Sequence, residues 1–151
     1  MEQEYKKILV GIDGSPQADY AFDSAVEVAR RNDGQVIVVA IIQNQMYDVI
    51  GYSNVNDSVL EDEAQEYKNL LDKCAERAKK VHFENVRTEV VFGSPKELLA
   101  RALPKKYDID LIMVGQSGLN AVERFMVGSV SRFVIAHAPC DVLIVHPKKI
   151  D

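Results

Sequence analysis

The apolar residues of this chain fall into five short segments, separated by longer stretches in which apolar positions recur every three or four residues. The five segments are mostly continuous and rich in β-branched residues, which is typical of strands buried on both faces of a parallel sheet. They therefore predict strands at residues 8–10, 36–42, 88–92, 111–114 and 142–145.

The stretches between the strands predict four amphipathic helices. The second is the longest, with one apolar face over about six turns. The third is expected to end or kink near Pro104, because proline lacks an N–H and its ring crowds the preceding turn. The fourth follows Ser129 and stops before Pro139. The residues predicted to face the core are Ala18, Ala21, Phe22, Ala25, Val26 and Ala29 in the first helix, Leu60, Ala64, Tyr67, Leu71, Cys74, Ala78 and Val81 in the second, Leu98, Leu99, Ala102 and Leu103 in the third, and Val130, Phe133 and Val134 in the fourth.

This alternation of strands and helices predicts an α/β fold, a doubly wound five-stranded parallel sheet with helices on both faces. The pattern does not fix the order of the strands. In such a sheet, ligands bind in the crevice at the carboxyl ends of the strands, where the strand order reverses. The length of 151 residues favours one domain, residues 1–151, which can bury a core without disulfides or metal.

One connection, residues 43–60, is long and polar and shows no clear periodicity. Loops of this length are uncommon within compact domains and are often lids or disordered segments. This loop leaves the carboxyl end of the second strand, so it could cover the crevice. The alternative is a mobile surface loop without a function of its own.

Composition and charge narrow the functional classes. The chain is 47% hydrophobic and 27% charged, as in soluble globular proteins. Its net charge of −5 argues against sequence-independent binding to the phosphates of nucleic acid. No apolar run approaches the roughly 18 residues that cross a membrane, and the acidic start is unlike a secretory signal. Two cysteines without a CxxC motif favour a reducing compartment, so a cytoplasmic protein is expected.

The turn Gly-Ser-Pro occurs twice, at residues 14–16 and 93–95, each time between a predicted strand and a predicted helix. Serine is a favoured N-cap, and proline is favoured at the first helical position. Ser94 and Glu97 also have the spacing of a capping box. Helix capping is therefore the expected role of Ser15 and Ser94.

Asp13 directly precedes the first of these turns, at the end of the first predicted strand. A carboxylate in this position could accept hydrogen bonds from both hydroxyls of a ribose. Alternatively, Asp13 stabilises the turn, because aspartate often accepts a hydrogen bond from its own backbone two residues on. The residues alone leave both roles open.

Residues 115–131, GQSGLNAVERFMVGSVS, combine three glycines with small hydroxyl residues directly after a predicted strand. Gly115 ends that strand, where it permits either the close approach of a ligand or a positive φ. Gly128 and Ser129 open the fourth helix, whose free N–H groups and dipole favour anions, and Ser131 adds a further hydroxyl. These features predict a phosphate site, with two ordinary glycine turns flanking a short helix as the alternative.

With these residues taken together, the chain resembles the universal stress protein family, in particular its ATP-binding subgroup. The family motif Gly-x2-Gly-x9-Gly-(Ser/Thr) is matched by Gly115, Gly118, Gly128 and Ser129. The opening KKILVGIDGS, the strand VIVVAII and the closing PCDVLIV also resemble the family, so the likeness covers nearly the whole chain.

The resemblance implies a parallel sheet of order 3-2-1-4-5 that binds ATP, or another adenine nucleotide, with Mg²⁺. It also implies a homodimer paired through the last strand, Asp141–Val145, and a regulatory role in the stress response. Asp13 would bond the ribose, and the backbone of Ile41 would meet the adenine. The other residues that the resemblance places at the nucleotide are Gly11, Ile12, Val114 and Gly115 at the strand ends, and Gly118, Gly128, Ser129, Val130 and Ser131 around the phosphates.

Two departures from the family pattern concern charge. Ser117 stands where family members often have a basic residue before the second glycine, which weakens the expected preference for a triphosphate. Arg124 or Arg132 could supply that charge instead. The end of the second strand also lacks an acidic residue that is often found there.

Two further functions stand beside a nucleotide-binding regulator. One is a weak ATPase or self-phosphorylating enzyme, which would need a positioned base and charge stabilisation at the γ-phosphate. The sequence offers no such constellation, because His82, His137 and His146 are dispersed and are expected in surface or packing roles, and Cys74 lies on an apolar helix face. The other is a dimeric interaction module without nucleotide, against which the intact glycine motif argues.

Overall fold

The computed structural model describes residues 3–43, 57–116 and 128–146. In these ranges five strands form one parallel sheet in the order β3-β2-β1-β4-β5. The predicted α/β fold and the order 3-2-1-4-5 are therefore confirmed. The strands are β1 (Lys7–Ile12), β2 (Gln35–Ile42), β3 (Val86–Phe92), β4 (Leu111–Gly115) and β5 (Asp141–Val145).

Helices cover both faces of the sheet. On one face, α1 (Pro16–Asn32) and α2 (Asp57–Lys80) pack around Phe22. The other face carries α5 (Ser129–His137) and a helix of three parts, which are α3 (Pro95–Glu97), a π-helical stretch (Leu98–Ala102) and α4 (Leu103–Tyr107). None of the described helices combines the length and the apolar character needed to cross a membrane.

The inner strands β1, β2 and β4 are almost fully buried, because helices press on both faces of the sheet. This burial explains why their apolar segments are continuous rather than alternating. The six residues predicted to face the core from α1 are all buried, and Val134 of α5 is completely so. The two edge strands, β3 and β5, are only half-buried.

The second helix differs from its prediction at both ends. It begins at Asp57, so the predicted loop at 43–60 is wrong for its last four residues. Residues 44–56 of that loop, for which the sequence left both a lid and a mobile surface loop open, lie outside the described residues. It ends at Lys80, so Val81 is not on its inner face but is 43% exposed. The cause is a Schellman motif, in which His82 takes a positive φ and the buried Phe83 donates its N–H to Ala78.

The helix after β3 does not end at Pro104 but continues to Tyr107. The irregularity expected there takes the form of the preceding π-helical stretch, in which Leu103 donates its N–H to Leu98, five residues back. A π turn holds more residues than an α turn, so the side chains within and after it point in other directions than an α-helical spacing predicts. As a result Ala102, predicted to face the core, is exposed, and Ala100 is buried instead.

The capping box predicted at the start of the same helix is absent. Ser94 takes the N-cap position but accepts no side-chain hydrogen bond. Glu97 does not reach back to Ser94, because its carboxylate accepts a hydrogen bond at 3.0 Å from Arg101, one turn later. An exposed ion pair along the helix thus replaces the cap.

Candidate functional site

The strand order reverses between β1 and β4, because the chain moves from β1 to β2 and β3 on one side, and from β4 to β5 on the other. The β1–β2 ladder runs to Ile12, and the β4–β5 ladder runs to Gly115. The pairing between β1 and β4 stops earlier, at Val10 and Met113. The two central strands therefore separate before their carboxyl ends, which opens a crevice at the switch point.

Asp13 follows β1 at one side of this crevice, with an exposed side chain. Its Oδ1 accepts a hydrogen bond of 2.8 Å from the backbone N–H of Ser15. The turn-stabilising role that the sequence allowed is therefore confirmed for this oxygen. Among the described residues no group donates to Oδ2.

Ser15 fixes the start of α1 beside Asp13. It is buried, and its Oγ accepts a hydrogen bond of 3.2 Å from the N–H of Ala18, which confirms the predicted N-cap. Gly14 supplies the positive φ, +85°, that the turn requires. The loop from Asp13 to α1 is therefore held by two side-chain hydrogen bonds to the backbone.

Gly115 ends β4 on the opposite side of the crevice, and the protein itself requires a glycine there. A Cβ at this position would lie 2.8 Å from the carbonyl oxygen of Gln17, in the first turn of α1. Its φ is not positive, so the second of the two predicted reasons for this glycine is wrong. Gly11 is similar but less crowded, because its Cβ would meet only the methyl groups of Leu99, at 3.3 Å.

The start of α5 lies next to the end of β4. Gly128 is the N-cap residue, and no side chain among the described residues caps the helix. The N–H of Gly128 donates to the carbonyl oxygen of Gln116 at 3.1 Å, and the buried Ser131 donates its hydroxyl to the carbonyl oxygen of Gly115 at 3.1 Å. The Ser131 hydroxyl therefore joins helix to strand, and the exposed Ser129 presents its own at the positive end of the helix dipole.

Charge differs between the two sides of the crevice. The α1 side carries the carboxyl groups of Asp13, Asp19 and Asp23. Burial raises the pKa of Asp19, Arg77 opposes this rise, and the other two carboxyl groups add to it. On the α5 side, the first helical turn offers N–H groups and the exposed side chain of Arg132. A phosphate chain would therefore be placed more favourably at α5 than at α1.

Most of the predicted site residues thus share the carboxyl edge of the sheet. Ile41 lies one strand further out, half-buried at the carboxyl end of β2. Gly118 lies outside the described residues. The residues that flank the crevice are Gly11, Ile12 and Asp13 after β1, Val114 and Gly115 on β4, and Gly128, Ser129, Val130 and Ser131 at the start of α5.

The importance of Gln116 is not evident from the sequence. The residue is only 8% exposed, and its Oε1 lies 3.0 Å from Nδ1 of His146, directly after β5. The three buried polar residues of the described chain are Ser15, Gln116 and Ser131, and all three lie beside the crevice. The only signal in the sequence was the position of Gln116, immediately after the strand.

The described residues offer little for covalent or metal-dependent catalysis. Burial raises the pKa of Cys74 and of Cys140 to about 11, so both thiols are protonated at neutral pH and are poor nucleophiles. Cys74 is buried in the core, as predicted. In the described ranges no group of three or more histidine, cysteine, aspartate or glutamate side chains is placed to hold a metal ion.

Comparison with known proteins gives one consistent result. The model of the Universal stress protein family matches residues 4–146. A relative from Staphylococcus haemolyticus that bears this family name is 44% identical over 147 residues, which cover 97% of this chain and 87% of the relative. The solved structure of a universal stress protein from Lactobacillus plantarum has 28% identity and a TM-score of 0.79, over 95% of this chain and 99% of that one. A further universal stress protein, solved in complex with cAMP, has 26% identity and a TM-score of 0.67, over 95% of this chain and 98% of that one.

Proposed function

This chain belongs to the universal stress protein family, and we propose that it is a regulatory member that binds an adenine nucleotide, with ATP preferred. The observation that carries this function is the separation of β1 from β4, with Asp13 on one side and the start of α5, which opens at Gly128, on the other. A similar universal stress protein has been solved in complex with cAMP, which supports an adenine nucleotide as the class of ligand.

The ribose is assigned to Asp13. Its Oδ1 is occupied by the N–H of Ser15, so the ribose hydroxyls would donate to Oδ2. The backbone of Ile41 would meet the adenine, and Gly11 and Ile12 would lie beside the sugar. This arrangement places the base towards β2 and leaves the phosphates to β4 and α5.

The phosphates are assigned to the start of α5. Gly128 brings no side chain between a ligand and the first helical turn, where the N–H groups of Ser129 and Val130 point along the helix dipole. The Ser131 hydroxyl already donates to the carbonyl oxygen of Gly115. It would therefore not bind a phosphate itself, and Ser131 would act by joining the start of α5 to β4. Val114, Gly115 and Gly118 would complete the phosphate end. Mg²⁺, when present, would bind mainly to the phosphate oxygens, since such ions use few protein ligands.

We further propose that the chain acts as a homodimer, in the cytoplasm, in the stress response. The edge strand Asp141–Val145 would pair with a second copy of itself. Leu143 in its middle is 40% exposed, and apolar edge strands need a cover.

Replacement of Leu143 by glutamate is expected to give a monomer, because pairing would then bury a carboxylate from each copy. Light scattering measures the mass of the parent and of the variant, with one chain weighing 16.9 kDa. Replacement of Val81 by glutamate serves as the control, because Val81 is also exposed but lies outside β5. A monomeric parent, or a dimeric L143E variant, would refute pairing through this strand.

The nucleotide is tested by calorimetric titration of the purified protein, stripped of bound nucleotide, with ATP and with AMP in the presence of Mg²⁺. Saturable binding is expected for both, and it should be tighter for ATP because the start of α5 would hold the additional phosphates. Equal affinities would contradict the phosphate assignment only. No binding of either nucleotide would overturn the function and favour a dimeric interaction module.

A further inference from the structure

We propose that Gln116 and His146 form a positioning pair that holds the start of α5 at the phosphate end of the nucleotide site and links this end to the edge strand β5. The role of the pair depends on the proposed nucleotide site, because it concerns the placement of the phosphate-binding N–H groups. Neither residue touches the nucleotide in this arrangement.

The side chain of Gln116 is built into the protein rather than exposed at its surface. A buried amide is costly unless it is hydrogen-bonded, and the described partner of Oε1 is Nδ1 of His146, at 3.0 Å. An amide oxygen only accepts, so Nδ1 carries the hydrogen and His146 donates. This bond connects the residue after β4 with the residue after β5.

The backbone of Gln116 makes two further connections. Its N–H donates to the carbonyl oxygen of Val145 at 3.2 Å, which extends the pairing of β4 with β5. Its own carbonyl oxygen accepts the N–H of Gly128, the N-cap residue of α5, at 3.1 Å. One residue therefore joins the ends of two strands to the start of the helix that would hold the phosphates.

The side-chain bond is one of two hydrogen bonds that tie Gln116 to the end of β5, so its loss would hold the Gln116 carbonyl, and with it Gly128, less firmly. The N–H groups of α5 would then meet the phosphates in a less favourable position, whereas the contacts of Asp13 and Ile41 with ribose and adenine would not change. Conversely, a phosphate bound at Gly128 acts on the same residue that holds His146. Binding of ATP should therefore change the surroundings of the His146 ring at the end of β5.

The proposal is tested by calorimetric titration of the full chain with ATP and with adenosine. The proteins are the parent, Gln116→Leu, His146→Phe and the double variant. Each single variant is expected to bind ATP about tenfold more weakly, the scale of one lost hydrogen bond, and to bind adenosine unchanged. The double variant should be no weaker than either single variant, because both break the same bond. His137→Phe, at the other end of α5, is the matched control and should bind ATP like the parent.

Other results would contradict the proposal. Equal losses for ATP and adenosine would show a general structural defect and overturn the positioning role. An unchanged His146→Phe variant would overturn the pair, while tight binding of ATP by the parent would still support the proposed function. A parent that binds neither ligand would overturn both. A second readout is the ¹⁵N chemical shift of the His146 ring, which ATP should change in the parent but not in Gln116→Leu; no change in the parent contradicts the link to β5.

Discussion

Replacement of Gly115 by alanine is expected to lower the free energy of unfolding by about 1–3 kcal/mol, the usual cost of overpacking. The added Cβ would lie 2.8 Å from the carbonyl oxygen and 3.0 Å from the carbonyl carbon of Gln17. Both atoms are backbone, and the cap made by Ser15 holds this first turn of α1 in place. Strand β4 and α1 must therefore move apart, and the crevice between β4 and β1 changes shape. Urea unfolding of both proteins measures the loss.

Gly11→Ala is the matched control, because it makes the same chemical change on the other side of the crevice. Its Cβ would meet only the methyl groups of Leu99, at 3.3 Å, and these can shift by small side-chain rotations. Both substitutions restrict the unfolded chain to the same degree, so that effect cancels in the comparison. The loss at Gly11 should be smaller than the loss at Gly115. Equal losses would mean that the contact with Gln17 is not what requires a glycine.

Much of the fold was predictable because its main determinant is local in the sequence. Strands buried between two layers of helices must be apolar at every position, and the inner strands meet this condition. The order of the strands was not available from the same pattern, since pairing depends on how the helices pack. Family resemblance supplied it, and the pairing of β1 with both β2 and β4 confirms it.

Two of the errors in the helices arise from competition among hydrogen bonds. Glu97 could cap its helix or pair with Arg101, and it pairs. Val81 could extend α2, but the positive φ of His82 ends the helix and brings Phe83 into the core. Sequence spacing identifies the possible partners of a side chain, but only the packed structure determines which partner it takes.

The position of the candidate site in the fold was predictable, but its contacts were not. The sequence placed Asp13, Gly115 and the start of α5 together, and the crevice contains all three. The contacts that define the site come from distant parts of the chain. Gln17 explains the glycine at 115, and His146 satisfies Gln116 from 30 residues away. Contacts of this kind leave no periodic pattern in a single sequence.

Replacement of Asp13 by asparagine is expected to weaken ATP binding about 10- to 100-fold and to leave folding nearly unchanged. Asparagine retains an Oδ1 that can accept the N–H of Ser15, so the turn before α1 survives. It loses the negative charge and the second oxygen, which is the one assigned to the ribose. Hydrogen bonds to a charged group contribute about 1.5–3 kcal/mol, and this range gives the expected loss of affinity. Calorimetric titration with ATP measures the affinity, and urea unfolding measures the stability.

Asp13→Ala separates the two roles, because it removes both oxygens. It should weaken ATP binding to a similar degree and also lower the free energy of unfolding by about 0.5–1.5 kcal/mol, the contribution of one hydrogen bond. A second ligand tests the ribose directly. The parent should prefer ATP to 2′,3′-dideoxy-ATP, and the D13N variant should bind the two alike, since the hydroxyls have lost their acceptor. If the D13N variant keeps the preference of the parent, another group holds the ribose, and Asp13 serves the turn alone.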